Sequence, residues 1–338
     1  MLSKKLIQYK TAGLSELEWQ DLRKTFSAKG MVGGSDCGVL LGWSKWRSPI
    51  SMFYQAIGQN LLPTKMNRQM AFGKMLEDTI ADMWQYWDGE EAFVQNVITK
   101  TKVRKFRKVK SIIVNPDYPF LFANIDGMVT QHPVKGKKKG ILEIKNVGKI
   151  TVDSYMDGIP PSYIAQMNHY MLVTGLSYAE ICMQVDGQNM LVKLFEADKE
   201  IQQAIIDKSK EHQMRVSNAL QAIATYGVTD QESIFGIAAQ FEPPADDSED
   251  FNAFMSAKHR ARESDIEIVG DLELQHLAAG YLEANEKIKA GESLKLHYGN
   301  QLKQHMEKHG AQILNLPDGK ITWRKQFLVK LNTNYTTF

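Results

Sequence analysis

The sequence predicts an α/β protein of the α+β layered kind, a central mixed sheet flanked by helices, with a helical appendage after it. Three observations carry this reading. Strand-type alternation fills much of residues 93–196, while helix-type spacing precedes it, interrupts it once and follows it. The stretch EPPADDSED at 242–250 packs two prolines and five acids into nine residues, which reads as a solvated linker. Beyond it, Leu274, Leu277, Tyr281, Ala284 and Ile288 keep a 3-4 spacing suited to an amphipathic helix. The expected division is therefore a body over 1–241, a linker over 242–250 and an appendage over 251–338.

Taken in order, Ser35–Leu41 and Pro49–Ile57 read as short helices around a WSKWRSP loop. Asn67–Trp87 reads as a longer one, because Phe72, Met75, Thr79, Ile80, Met83 and Trp84 recur mostly at three- and four-residue steps. After Asp88-Gly89, the Val-, Ile- and Lys-rich segment Phe93–Val114 reads as strands. Phe120–Val129 and Gly140–Val147 are two more, joined by a polar HPVKGKKK turn. Pro161 opens a helix that Gly175 ends. Ala179–Val185 and Met190–Glu196 flank an Asp186-Gly187 turn, and Lys199–Ala224 is a long helix. In the appendage Gly291 interrupts the helical seam, and ILNL–PDGK–ITWRK forms a closing hairpin.

Composition narrows the function classes. With 43% hydrophobic and 24% charged residues over 338 positions, the chain is not a disordered tail. No apolar run approaches a membrane span, and the early lysines are not followed by the apolar core of a signal peptide. Two cysteines exclude a disulfide framework or a cysteine-rich zinc site, so a reducing cytoplasm is expected. The charge is asymmetric: residues 1–200 carry 26 Lys and Arg against 20 Asp and Glu, the remainder 15 against 19. The first part suits a polyanion. Lys100–Lys110 (KTKVRKFRKVK) holds seven cations and no acid. It either lines a channel for nucleic acid, with Lys102, Arg104 and Arg107 as contacts, or is a strand edge kept soluble by charge.

The chemistry concentrates in Phe122-Ala-Asn-Ile-Asp126-Gly and Ile141-Leu-Glu143-Ile-Lys145. On a strand, positions i and i+2 share a face, so Glu143 and Lys145 point the same way. If the two strands pair, Asp126 joins them, and two carboxylates meet one ammonium. Hard oxygen donors of this kind suit Mg²⁺, with Mn²⁺ able to substitute, rather than zinc. Standing alone, Glu-x-Lys on a strand is usually a same-face ion pair. Its company makes the difference: Glu77 on the preceding helix, Gln166 and Tyr170 four apart on the following one, and Gly33-Gly34-Ser35-Asp36 leading into a helix. Pro317-Asp318-Gly319-Lys320 spells a similar string but sits in a turn with no acid placed to complete it.

In order and spacing, GGSD…LGWSKWRSP, AFGKMLEDTI, NIDGM, LEIK and IAQMNHYMLVTG resemble the motifs of the YqaJ-like phage recombination nucleases, over about residues 20–215. These are related to lambda exonuclease and, more remotely, to the PD-(D/E)xK nucleases. The resemblance implies a PD-(D/E)xK restriction-endonuclease-like core. It also implies a Mg²⁺-dependent 5′→3′ exonuclease acting on double-stranded DNA ends, a ring-shaped homotrimer and a single-strand annealing protein as partner. By position, Asp126 and Glu143 match the metal-binding acids, Lys145 the catalytic lysine, the Ile144 carbonyl a further metal ligand and Glu77 the completing acid. Gln166 matches a glutamine near the terminal phosphate, and Ser35 the serine of the 5′-phosphate pocket. Two positions depart: the arginine expected about seven places before that serine is Ala28, beside Lys29, and a serine two places before the metal aspartate is Asn124. Asp117 is a weaker candidate for an accessory acid, or a turn residue. Trp43 and Trp46 either stack on a DNA end or pack a small lid. An endonuclease or repair nuclease of the same superfamily, and a DNA-binding module with an inactive site, are the alternatives.

Overall fold

The computed structural model describes residues 5–63, 66–155, 157–260, 269–317, 319–323 and 327–331. The chain divides into two compact units, Met1–Glu263 and Ser264–Phe338.

The first unit begins with strand β1 (Ile7–Lys10) and helix α1 (Glu16–Ser27). The 3-4 spacing of Trp19, Leu22 and Phe26 marks α1, and a capping box starts it, in which the Ser15 hydroxyl accepts from Glu18 N–H and the Glu18 carboxylate accepts from Ser15 N–H at 2.7 Å. Helices α2 (Gly34–Leu40), α3 (Pro49–Ala56) and α4 (Arg68–Trp84) follow. Only the C-terminal half of α4 is core: Ile80, Ala81 and Trp84 are buried, whereas Phe72 and Met75 are exposed.

Residues 93–114 depart from the sequence expectation. Glu90–Ile98 is helix α5, and only Lys105–Lys108 (β2) and Ser111–Val114 (β3) are strands. Gly89, at a φ of +96°, feeds a first turn bearing Glu90 and Glu91, acids that favour a helix N-terminus. The expected strand 120–129 is also two pieces. Phe122–Ala123 (β4) closes a small sheet of order β1-β3-β4, while Gly127–Gln131 (β5) belongs to the main sheet. The chain crosses from one sheet to the other at Asn124–Asp126.

Next come β6 (Gly140–Val147), a short α6 (Lys149–Asp153), α7 (Pro161–Thr174), β7 (Tyr178–Val185), β8 (Asn189–Glu196), α8 (Lys199–Tyr226), α9 (Gln231–Ala238) and α10 (Glu249–Arg260). Asp186 and Gly187 both take positive φ, +48° and +76°, as a tight β7–β8 hairpin requires. The main sheet has the order β2-β5-β6-β7-β8; β6 and β7 run parallel, linked through α7, and the other pairs are antiparallel. Both of its faces are covered. Ile80, Ala81 and Trp84 of α4 pack on Leu142, Ile144 and Cys182, and α7 lies in the cluster that takes Ile141, Ile181 and Met183. This is the mixed α+β layered core expected from the sequence.

The 242–250 stretch is not a solvated linker. The Glu242 carboxylate accepts from the Tyr54 hydroxyl and the Lys258 ammonium, Asp246 accepts from the Ser48 hydroxyl, and Asp250 accepts from Ser48 N–H at 2.8 Å. Three of its five acids are spent on the start and flank of α3, while Asp247 and Glu249 stay exposed. Helix α10 then buries Phe254 with Ile50, Tyr54 and Phe235. The expected boundary therefore moves from 242–250 to 263.

The second unit holds α11 (Leu272–Lys308), which runs unbroken through Gly291. After it, β9 (Ile313–Leu316), β10 (Gly319–Trp323) and β11 (Phe327–Leu331) form a sheet of order β11-β10-β9, one strand more than the expected hairpin. Asp318, in the turn string set aside above, lies outside the described residues. Among the described residues no helix is long and apolar enough to cross a membrane.

Candidate active site

Three side chains meet because of strand register. Gly127 of β5 pairs with Leu142 of β6, which sets Asp126 opposite Glu143 one step further along. Asp126 Oδ2 accepts from Ile144 N–H at 2.8 Å, so a side chain takes over where the ladder ends. Glu143 is 3% exposed. Its Oε1 accepts from Lys145 Nζ and from Gln166 Nε2, the latter at 2.9 Å. Gln166 also donates to the Tyr170 hydroxyl at 2.9 Å, one turn along α7. Lys145 Nζ lies 5.2 Å from the centre of the Tyr163 ring.

Glu143 Oε2 is buried without a hydrogen-bond partner. An orphaned carboxylate oxygen is costly, and the neighbouring acid registers the cost. Burial, and then the charge of Glu143, push the Asp126 carboxyl up to about 8. Burial and Asp126 likewise raise Glu77. Lys145 goes the other way: burial would lower it, but the Glu143 and Asp126 carboxylates prevail and hold the ammonium above its ordinary value. A buried and a half-buried carboxylate, one oxygen unpaired, fit a hard divalent cation, and the Ile144 carbonyl lies in the chain between Glu143 and Lys145.

The site opens into a cleft of about 1020 Å³ lined by Glu77, Lys108, Asn124, Asp126, Glu143, Ile144 and Lys145, with Trp19, Trp46 and Tyr163 also on its walls. Glu77 is half-buried in this cleft with Lys108 Nζ at 3.6 Å. Among the described residues no three His, Cys, Asp or Glu side chains gather into a metal-holding group. Glu77 thus shares the cleft and the field of Asp126 without closing on the Asp126–Glu143 pair.

Ser35 is exposed at the start of α2, and Arg23 Nη2 donates to its hydroxyl at 3.4 Å. Arg23 of α1 thus places a guanidinium beside this hydroxyl, five residues before Ala28. Arg23 is fixed by Asp36 at 3.7 Å and by the Trp19 ring at 5.3 Å. Gly34 is required by packing: a Cβ there would sit 2.3 Å from the Tyr170 ring. That contact brings the Arg23–Ser35 corner against Tyr170, and so toward Gln166 and Glu143.

The cationic run is not one surface. Arg104, expected on DNA, is 6% exposed and donates to Glu180, at 3.3 Å from Nε. Glu180 also accepts from Trp84 Nε1 at 2.9 Å and lies 3.1 Å from His132 Nε2. Arg104 is the buried counterion of Glu180, lying just before β2 between half-buried Val103 and exposed Lys105. Lys102 is exposed and paired with Asp82 at 2.7 Å, away from the cleft lining, and Arg107 is exposed on the face of β2 opposite Phe106. Of this run, Lys108 and Lys110 reach the cleft. Asp117 is a surface turn residue bound to Lys5 at 2.6 Å, outside the site.

This arrangement, acids and a lysine on paired strands with a glutamine-bearing helix behind them, coincides with a family match. Residues 18–177 match the YqaJ-like viral recombinase domain, as the sequence motifs implied. Among individual relatives, the uncharacterized protein YqaJ of Bacillus subtilis (strain 168) is 30% identical over 195 residues, 57% of this chain and 53% of that protein. The matched segment therefore spans about half of the relative's length. Among solved structures, an alkaline exonuclease from Laribacter hongkongensis covers 61% of this chain and 97% of its own at 18% identity, with a TM-score of 0.45. A phage-related exonuclease from Haemophilus somnus covers 58% and 96% at 13% identity, with a TM-score of 0.36.

Proposed function

We propose that this protein is a divalent-metal-dependent exonuclease that degrades linear double-stranded DNA from its ends in the 5′→3′ direction, exposing 3′ single strands for phage-type recombination. The observation that carries the reading is the Asp126–Glu143 pair beside Lys145, with Glu143 Oε2 unpaired. The YqaJ-like match and the exonucleases among its structural likenesses agree with it.

Asp126, Glu143 and the Ile144 carbonyl would hold Mg²⁺ or Mn²⁺, with Glu77 completing the set once Lys108 releases it. Such an ion supplies a water of lowered pKa and neutralises charge on the scissile phosphate. The remaining work belongs to the chain. Lys145 keeps its proton and steadies the attacking water and the charge developing on phosphate. Gln166 holds Glu143 in its rotamer. Asn124 and Lys108 line the path of the strand, and Arg23 with Ser35 offers a charge-assisted grip on a terminal 5′ phosphate. The family resemblance adds a homotrimer and a single-strand annealing protein as partner.

The test is digestion of linear duplex, labelled at the 5′ or 3′ end, with and without a 5′ phosphate, in Mg²⁺ and in EDTA. Mg²⁺-dependent loss of the 5′ label first, with relaxed circular duplex spared, is expected. Cutting of the circle would favour an endonuclease. Lys145→Ala abolishes cleavage and keeps DNA binding; digestion by that variant at the wild-type rate would refute the assignment.

A further inference from the structure

Trp46 stands apart from the other tryptophans. Trp84 is fully buried, whereas Trp46 is 91% exposed. Leaving so large an apolar surface in water forgoes the stabilisation that burial would give it. Slack in the chain does not explain it, because the loop between α2 and α3 is fastened along its length. Trp43 N–H donates to the Gly38 carbonyl at 2.8 Å and Trp46 N–H to the Ser44 hydroxyl at 3.2 Å. Arg47 is gripped by Asp36 at 2.8 Å and by Gln55, Ser48 is held by Asp246 and Asp250, and Lys45 lies 5.7 Å from the centre of the Tyr155 ring. The anchored loop presents the indole to water, and the indole lines the same cleft as Asp126, Glu143 and Lys145.

We infer that Trp46 is a stacking platform for a nucleobase of the DNA strand entering the cleft, holding the end of the duplex at the mouth of the active site. This rests on the nuclease reading above. The chemistry selects a base: a flat π-surface beside cations, at the rim of a cleft built for phosphodiesters, suits a ring attached to an anionic backbone. Stacking tolerates any sequence, as degradation from an end requires.

The experiment places 2-aminopurine at the 5′ end of a blunt duplex and follows its quenching and the Kd in Mg²⁺, in the Lys145→Ala background. Adding Trp46→Ala should remove most of the quenching and weaken binding roughly 5- to 100-fold, the loss of one base–aromatic stack. Adding Trp46→Phe should restore most of both. The melting temperature should not move, because the side chain is in water. Unchanged quenching and affinity on adding Trp46→Ala, with the Trp46→Ala single variant digesting linear duplex at the wild-type rate, would overturn the stacking role and leave the nuclease reading intact. Failure of the wild-type protein to bind or digest duplex in Mg²⁺ would sink both together.

Discussion

Asp126→Asn should stabilise the metal-free protein while removing its activity. In the wild type without metal, burial and the facing Glu143 push the Asp126 carboxyl from 3.8 to about 8. The unfolded chain releases that proton near pH 4, whereas the folded chain keeps it until about pH 8. The folded state thus binds the extra proton throughout that window, and its stability falls as pH rises through it, levelling off above. One pKa unit is worth ~1.4 kcal/mol, so an interval of about four units costs on the order of 5 kcal/mol by pH 8. Asparagine keeps an oxygen for Ile144 N–H and cannot ionise. In EDTA at pH 8 the variant should therefore melt higher by roughly 10 °C or more, since each kcal/mol moves a domain of this size by about 2–4 °C. At pH 4 the two proteins should melt within a few degrees of each other. With Mg²⁺ at pH 8 the order should reverse in one respect: the wild type gains stability from the ion and the variant gains little. Thermal melts of both proteins from pH 4 to 9, with EDTA or Mg²⁺, make the comparison. Equal melting temperatures at pH 8 in EDTA would refute the claim that two carboxylates share this site with one ammonium, Lys145, between them.

Other perturbations separate roles that the sequence alone merges. Arg104→Ala should destabilise by about 3 kcal/mol, because it removes the permanent counterion of buried Glu180 and leaves that charge to Trp84 and His132; a fully stable variant with weakened DNA binding would contradict this, as urea unfolding and a binding assay would show. Arg23→Ala should lower the preference for 5′-phosphorylated over 5′-hydroxyl ends roughly tenfold, the value of one charge-assisted hydrogen bond, with digestion rates on the two ends as the readout. Truncation after Glu263 should leave the first unit folded, whereas truncation after Glu242 removes Phe254 and Lys258 from their core and should lower the melting temperature sharply. If both truncations melt alike, α10 is not part of the body.

Much of the main sheet is legible because its strands carry a strong local code. Gly140–Val147 is an apolar-rich run broken by Glu143, Lys145 and Asn146, and Asp186-Gly187 supplies the two positive-φ positions of the β7–β8 turn. The misreadings occur where tertiary partners decide. Phe93–Ile98 is rich in the aromatic and β-branched residues that favour strands, yet the Gly89 turn and two acids start a helix there. The acids of 242–250 look solvated in isolation, but three of them, Glu242, Asp246 and Asp250, meet Tyr54 and Ser48, which lie far away in the sequence. An acidic string has no way to announce a partner 200 residues away.

The site shows the same division. Asp126, Glu143 and Lys145 are readable because a period of two and a two-strand pairing fix their convergence. Arg104 is not legible from charge counting, which is blind to facing: it precedes β2 and turns inward to Glu180 while the neighbouring Lys105 stays exposed. Arg23 was missed for a different reason. Its role depends on α1, which Ser15-x-x-Glu18 and the 3-4 spacing of Trp19, Leu22 and Phe26 announce. Had that capping box been weighed, Trp19 and Arg23 would have fallen four apart on one helical face, placing a guanidinium near the Gly33-Gly34-Ser35 turn. The 5′-phosphate corner then depends on packing more than on motif. Gly34 lets Tyr170 approach, Tyr170 bonds Gln166, and Gln166 bonds Glu143, so the proposed grip on the DNA end and the acid pair are joined by one contiguous set of contacts. A Gly34→Ala substitution, with its Cβ 2.3 Å from the Tyr170 ring, should disturb both ends of that set at once, lowering cleavage as well as phosphate preference. A variant that lost the preference alone would show that the corner and the acids act separately.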